Sequence, residues 1–157
     1  AVRFDLTPEE IIARWEGMAQ EAYAHRLPLK PHARDFLLRA HGAGIPCALL
    51  TSCIPALTVA ALENHGIDHL LDPILTTTGL GLDKRDPALY TKAARQLGLK
   101  PEECILFDDS PFYCAAAVQA GWQVYGLADP AIDDQAGLMA QLCPAGHFPF
   151  PFADALP

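Results

Sequence analysis

The 157-residue sequence predicts an α/β domain: a parallel sheet with helices on both faces. Three observations predict it. Short apolar runs alternate with helical patterns of about 10 to 15 residues, an order that demands crossover connections. The runs at 45–50, 104–107 and 122–127 are apolar enough for strands covered on both sides. A composition of 51% hydrophobic and 19% charged residues supports one packed core and excludes a disordered chain.

The elements follow in order. Thr7-Pro8-Glu9-Glu10 is a capping box with proline at the first helical position. Ile11, Ile12, Trp15, Met18, Ala19, Ala22 and Tyr23 then recur at helical spacing, which makes a long amphipathic helix ending near Leu27-Pro28. A second helix covers 32–41 and is closed by Gly42 and Gly44. Residues 45–50 form a strand that enters Thr51-Ser52, and a helix over 56–64 ends at Asn64-His65-Gly66. His65 and His69 could share a metal only on an unbroken helix, and Gly66 argues against one; a histidine at a helix C-terminus faces the last carbonyls instead. Residues 74–77 are a weaker strand, and the loop 79–84 leads to Asp86-Pro87, the start of a helix carried through Leu97 to Gly98. The strand 104–107 ends in Asp108-Asp109, Ser110-Pro111 caps a helix that stops at Gly121, and 122–127 is the last strand. A helix around 134–142 and a tail rich in proline and phenylalanine, read as a surface strap, complete the chain.

Charge narrows the function. Eleven Lys+Arg against 19 Asp+Glu give −8, which excludes a broad electrostatic grip on nucleic acid or anionic lipid, so any anionic ligand is held locally. No window approaches 18 consecutive apolar residues and no basic segment precedes an apolar one at the N-terminus, so neither a spanning helix nor a signal peptide is visible. The five cysteines are odd in number and lack a C-x-x-C pair; they read as small core residues of a reducing, cytoplasmic compartment.

In a parallel sheet the ligand crevice lies at the carboxyl ends of the strands. Thr51-Ser52, Lys84 and Asp108-Asp109 all fall there, from separate crossovers. Adjacent carboxylates resist joint ionisation unless a cation is near, and Mg2+ needs only one or two of them plus a phosphate oxygen. Lys84 adds a compact positive charge, and Thr51 with neighbouring amides donates to phosphate oxygens. Each feature alone has an ordinary structural reading: Asp-Asp-Ser-Pro as a helix cap, Thr51-Ser52 as a turn, Lys84 as a solvated loop charge. Their joint placement describes a phosphate site. No G-x-x-x-x-G-K-[ST] is present, and Gly79-Leu80-Gly81 lacks the third glycine of a dinucleotide fingerprint.

Leu49-Leu50-Thr51-Ser52, Lys84-Arg85-Asp86-Pro87 with Tyr90, and Ile105-Leu106-Phe107-Asp108-Asp109-Ser110-Pro111 followed by Ala116-Ala117 and Ala120-Gly121 resemble motifs II, III and IV of the haloacid dehalogenase (HAD) superfamily. More narrowly, the chain resembles its branch of β-phosphoglucomutase-like and phosphoglycolate phosphatase-like proteins. The resemblance implies a Rossmann-like parallel sheet and a Mg2+-dependent phosphatase acting on a small phosphorylated metabolite through an aspartyl-phosphate. It implies that Thr51 and Ser52 bind the transferring phosphoryl group, that Lys84 neutralises it and the nucleophile, and that Asp108 and Asp109 hold Mg2+. Motif I, which in this family supplies the nucleophile as Asp-x-Asp-Gly, is not found. The nearest string, at 1–7, offers Asp5, but Arg3 interrupts the strand, Thr7 replaces the second aspartate and no Gly-Thr follows. Residues 1–28 then read as the remnant of a helical cap and 29–157 as the α/β core lacking its first strand, which would leave an open sheet edge inviting self-association. On that reading the nucleophile lies outside this chain, which alone would be inactive. A non-catalytic phosphate- and Mg2+-binding relative and a phosphomutase are the alternatives. Phe112-Tyr113 depart from the family, whose members usually have small residues there; the pair either narrows the site, packs on a partner or covers a core edge.

Overall fold

The computed structural model describes residues 5–156, so the 1–7 string lies partly outside the described residues; its Asp5 is an exposed residue in a bend. Helix α1 (Pro8–His25) opens on the expected capping box: Glu10 N donates to Thr7 Oγ1 at 3.3 Å and Thr7 N to Glu10 Oε2 at 2.7 Å. None of its side chains is fully buried; it packs on α3 (Pro55–Asn64) and leaves Ile12, Trp15 and Met18 exposed. Helix α2 (Ala33–Gly42) buries Phe36 and Ala40.

Strands β1 (Leu49–Thr51) and β2 (Ile74–Thr76) pair in parallel, as do β3 (Ile105–Asp108) and β4 (Gln123–Gly126). The parallel α/β arrangement is the expected one. It is divided into two ladders, β1-β2 and β3-β4, with no pairing between them among the described residues. The first strand is shorter than expected at its start, because Ile45 N still bonds back to Ala40 O of α2 and Pro46 has no N–H to offer. Between β2 and the helix α5 (Pro87–Leu97) lies a short helix, α4 (Thr77–Leu80), that the sequence does not announce; Thr76 Oγ1 caps it by accepting from Gly79 N. Helix α5 begins where Asp86 caps Ala88 N and ends at Gly98, whose φ of +71° is the left-handed turn glycine favours. Helices α6 (Pro111–Gln119) and α7 (Gln135–Leu142) follow β3 and β4.

Alternation along the strands sorts the side chains onto two faces. Leu106 and its partner Val124 join Leu89, Tyr90, Cys114, Ala117, Met139 and Cys143 in the main core beneath α5, α6 and α7. Phe107 and its partner Tyr125 stack at 5.5 Å on the opposite face, where Phe36 of α2 meets Phe107 edge-on at 5.0 Å. The tail does act as a strap. Gly126 N donates to His147 O and Phe150 N to Gly126 O along the outer edge of β4, and Arg39 donates to Phe152 O and Asp154 O. All five cysteines are unpaired, with Cys104, Cys114 and Cys143 buried. His65 caps the end of α3 and its Nε2 bonds Leu27 O at 2.8 Å. No helix among the described residues is long and apolar enough to cross a membrane.

Candidate functional site

Thr51, Ser52, Lys84 and Asp109 line one cavity of about 690 Å3, walled on its other sides by Trp15 and Tyr23 of α1 and Leu57 of α3. β1 delivers Thr51 at its last position, and the turn that follows fixes the hydroxyl: Cys53 N donates to Thr51 Oγ1 at 3.0 Å, leaving the hydroxyl proton free to donate outward. The approach of Cys53, and then burial, raises the pKa of the Tyr23 phenol.

Lys84 precedes α5 and is held at both ends. Its carbonyl accepts from the buried Tyr90 hydroxyl at 2.9 Å, and its Nζ donates to Asp108 Oδ2 at 2.9 Å. The two side chains are only 13% and 11% exposed. Tyr113 places its ring 5.1 Å from the same ammonium, while the neighbouring Phe112 is exposed and lies 5.6 Å from the Arg85 guanidinium. Burial above all, then the Asp108 charge, pushes the Tyr90 phenol well up.

The acidic pair is split. Asp108 turns inward: besides Lys84 it accepts from Ser110 N at 2.9 Å, and its carbonyl accepts from Cys114 Sγ at 3.5 Å. Burial and then the Asp108 charge push the Cys114 thiol up to about 12. Ser110 occupies the N-cap of α6 as expected, but its side chain makes no cap bond; the Asp108 carboxylate takes Ser110 N instead. Asp109 faces the cavity, and its Oδ2 meets Lys30 Nζ at 3.0 Å. Each carboxylate of the pair thus has a lysine of its own.

Lys30 is the residue the sequence does not disclose. From the segment between α1 and α2 it also reaches Asp129 Oδ2 at 2.8 Å and Ala128 O at 3.4 Å. Burial lowers its pKa, but hydrogen bonds to Asp129 and Asp109 outweigh that and raise it; Asp129 is correspondingly lowered, first by the Lys30 bond and then by Ala131 N. Gln135, 7% exposed, is equally hidden from pattern reading: its Nε2 donates to Asp109 O at 2.6 Å and Leu127 O at 2.9 Å, and its Oε1 accepts from Asp129 N. Lys30 sits between Leu29 and Pro31 like any loop lysine, so only its contacts, 98 and 99 positions away, reveal it.

Among the described residues no three His, Cys, Asp or Glu side chains gather to hold a metal. The hard oxygen donors of Asp108 and Asp109 nevertheless suit Mg2+, which takes one or two carboxylates and completes its shell with water and phosphate. Chemically, the cavity can bind an anion through Thr51, Ser52 and Lys84 and a hard cation through Asp109.

Three relatives bear on the site. The phosphoserine phosphatase of Thermus thermophilus is 36% identical over 107 residues, which is 65% of this chain and 43% of that protein. Hexitol phosphatase A of Escherichia coli is 32% identical over 103 residues, 64% of this chain and 46% of that protein. The chain therefore spans less than half the length of these two curated relatives. A HAD family hydrolase of Deinococcus radiodurans, solved with bound phosphate and sodium, superposes with a TM-score of 0.70 at 26% identity, covering 89% of this chain and 62% of that one. The haloacid dehalogenase-like hydrolase family matches residues 3–121, and with that match across most of its length the chain belongs to that family.

Proposed function

We propose that this chain forms part of a Mg2+-dependent phosphohydrolase acting on a small phosphorylated metabolite in the cytoplasm. The observation that carries the reading is the meeting of Thr51, Ser52, Lys84 and Asp109 at one cavity. The phosphatase names of the relatives support it, and five unpaired cysteines suit a reducing compartment. The outward proton of Thr51 and the Ser52 hydroxyl donate to phosphate oxygens, and Lys84 neutralises charge. Asp108 and Asp109 are the carboxylates that would hold Mg2+, which supplies charge neutralisation and orientation of the phosphoryl group when bound. In this reading an aspartate carboxylate attacks phosphorus and the substrate's alcohol leaves; water then cleaves the aspartyl-phosphate to release inorganic phosphate.

Asp109 is the sole carboxylate among the described residues lining the cavity, and with Lys30 engaging it this reading assigns it the role of cation ligand and not of attacking aspartate. Residues 1–28 then serve as part of a cap and 29–157 as the core.

The test is phosphate release from an aryl phosphate by the intact protein, with Mg2+ and with chelator. Chelation is expected to abolish turnover, and Asp109→Asn or Thr51→Ala to lower it by about a hundredfold, the scale of one lost electrostatic contact to the transition state. Equal turnover in chelator would refute the metal role. Phosphate binding without turnover of any ester would favour the non-catalytic relative.

A further inference from the structure

Lys30 joins three parts of the molecule that are remote in sequence. It belongs to the segment 26–32 linking α1 to α2, and its ammonium lies 3.0 Å from Asp109 Oδ2 and 2.8 Å from Asp129 Oδ2. The backbone around these carboxylates is fixed independently of it: Gln135 holds Asp109 O, Leu127 O and Asp129 N. Only the Asp109 carboxylate is left to choose its partner. With Lys30 and Asp109 33% and 35% exposed, their ion pair is of the weak, partly solvated kind. A divalent hard cation offers twice the charge to the same oxygen, and Lys30 would then keep only one of its two carboxylate anchors, Asp129. The segment that Lys30 anchors carries α1, whose Trp15 and Tyr23 form the far wall of the same cavity.

We propose that Lys30 is a positioning residue: its ammonium holds the Asp109 carboxylate at the cavity wall, and a divalent cation binding Asp109 displaces it, loosening the segment that carries α1. This rests on the reading of Asp109 as a cation ligand. Occupancy of the cavity by the cation and the setting of the α1 wall are then coupled, and the coupling is reciprocal.

The experiment measures Mg2+ affinity by calorimetry on the intact protein, together with hydrogen exchange over 26–32 with and without Mg2+. Lys30→Met removes the competitor and is expected to tighten Mg2+ binding by about three- to fivefold, the range set by a partly exposed ion pair. Lys30→Arg, which keeps the charge, should bind within about twofold of the wild type. Exchange over 26–32 should quicken when Mg2+ is added to the wild type and not respond in Lys30→Met. Unchanged or weaker Mg2+ binding by Lys30→Met, or exchange in the wild type that ignores Mg2+, overturns the proposal. Asp109→Asn separates the two readings. If it abolishes Mg2+ binding while Lys30→Met leaves the affinity unchanged, displacement alone fails; if it leaves Mg2+ binding intact, the cation-ligand reading falls and this proposal with it.

Discussion

Replacing Lys84 by methionine removes the ammonium 2.9 Å from Asp108 in a pair whose side chains are only 13% and 11% exposed. Breaking a buried pair from one side costs about 3–5 kcal/mol, because a charge is left behind without compensation. Two features place Lys84→Met near the lower bound: Asp108 keeps its bond from Ser110 N, and a little solvent reaches it. Loss of the Tyr113 contact at 5.1 Å adds about 0.5–1 kcal/mol. The sum is about 3–4 kcal/mol, and at roughly 2–4 °C per kcal/mol for a chain this long Tm should fall by about 6–16 °C. Urea and thermal unfolding of Lys84→Met, Asp108→Asn and the double variant form a cycle. The double variant should be less destabilised than the two singles added together by about 1–2 kcal/mol, since it buries no lone charge. A Lys84→Met protein within about 0.5 kcal/mol of the wild type, or a strictly additive cycle, would refute the burial argument.

Other outcomes follow from single contacts. The native Cys114 thiol keeps its proton to about 12 whereas the unfolded thiol loses it near 9.0, so this contribution to stability is complete below pH 9 and declines as pH rises beyond it. Urea unfolding across that range should show the decline, and Cys114→Ala should make it shallower. Asp86→Ala removes the bond to Ala88 N at the start of α5 and should cost about 1 kcal/mol in thermal unfolding. Gly121→Ala forces a methyl-bearing residue to a φ of +91° and sets its Cβ 3.3 Å from Pro101 Cβ; a loss of about 1–2 kcal/mol is expected, and a neutral result would show that the turn relaxes.

What could be read from the sequence was what local chemistry dictates. Thr7 with Glu10, Asp86 with Pro87 and the glycine at 98 declare the ends of α1 and α5 because caps and left-handed turns involve neighbours only. The strand ends at Thr51 and Asp109 were legible for the same reason, since an apolar run that stops at polar residues marks where a buried strand surfaces; Lys84 lies instead in the loop between α4 and α5. Helix α4 was hidden because Thr-Thr-Gly reads equally well as a strand end, and only the Thr76 hydroxyl on Gly79 N tips it into a turn of helix. Lys30, Asp129 and Gln135 were invisible because a lysine's partner 99 positions away leaves no periodicity behind. The division of the strands into two ladders is likewise a matter of long-range pairing.

The double anchoring of Lys84 has a thermodynamic consequence for any anion that enters the cavity. A free lysine gives up about 2 kcal/mol of rotamer entropy when it is immobilised. Here Tyr90 fixes its main chain and Asp108 its ammonium, so that loss has already occurred during folding. An anion arriving beside Thr51 therefore meets a cation that is already in place, and the lysine has no freedom left to lose on its account.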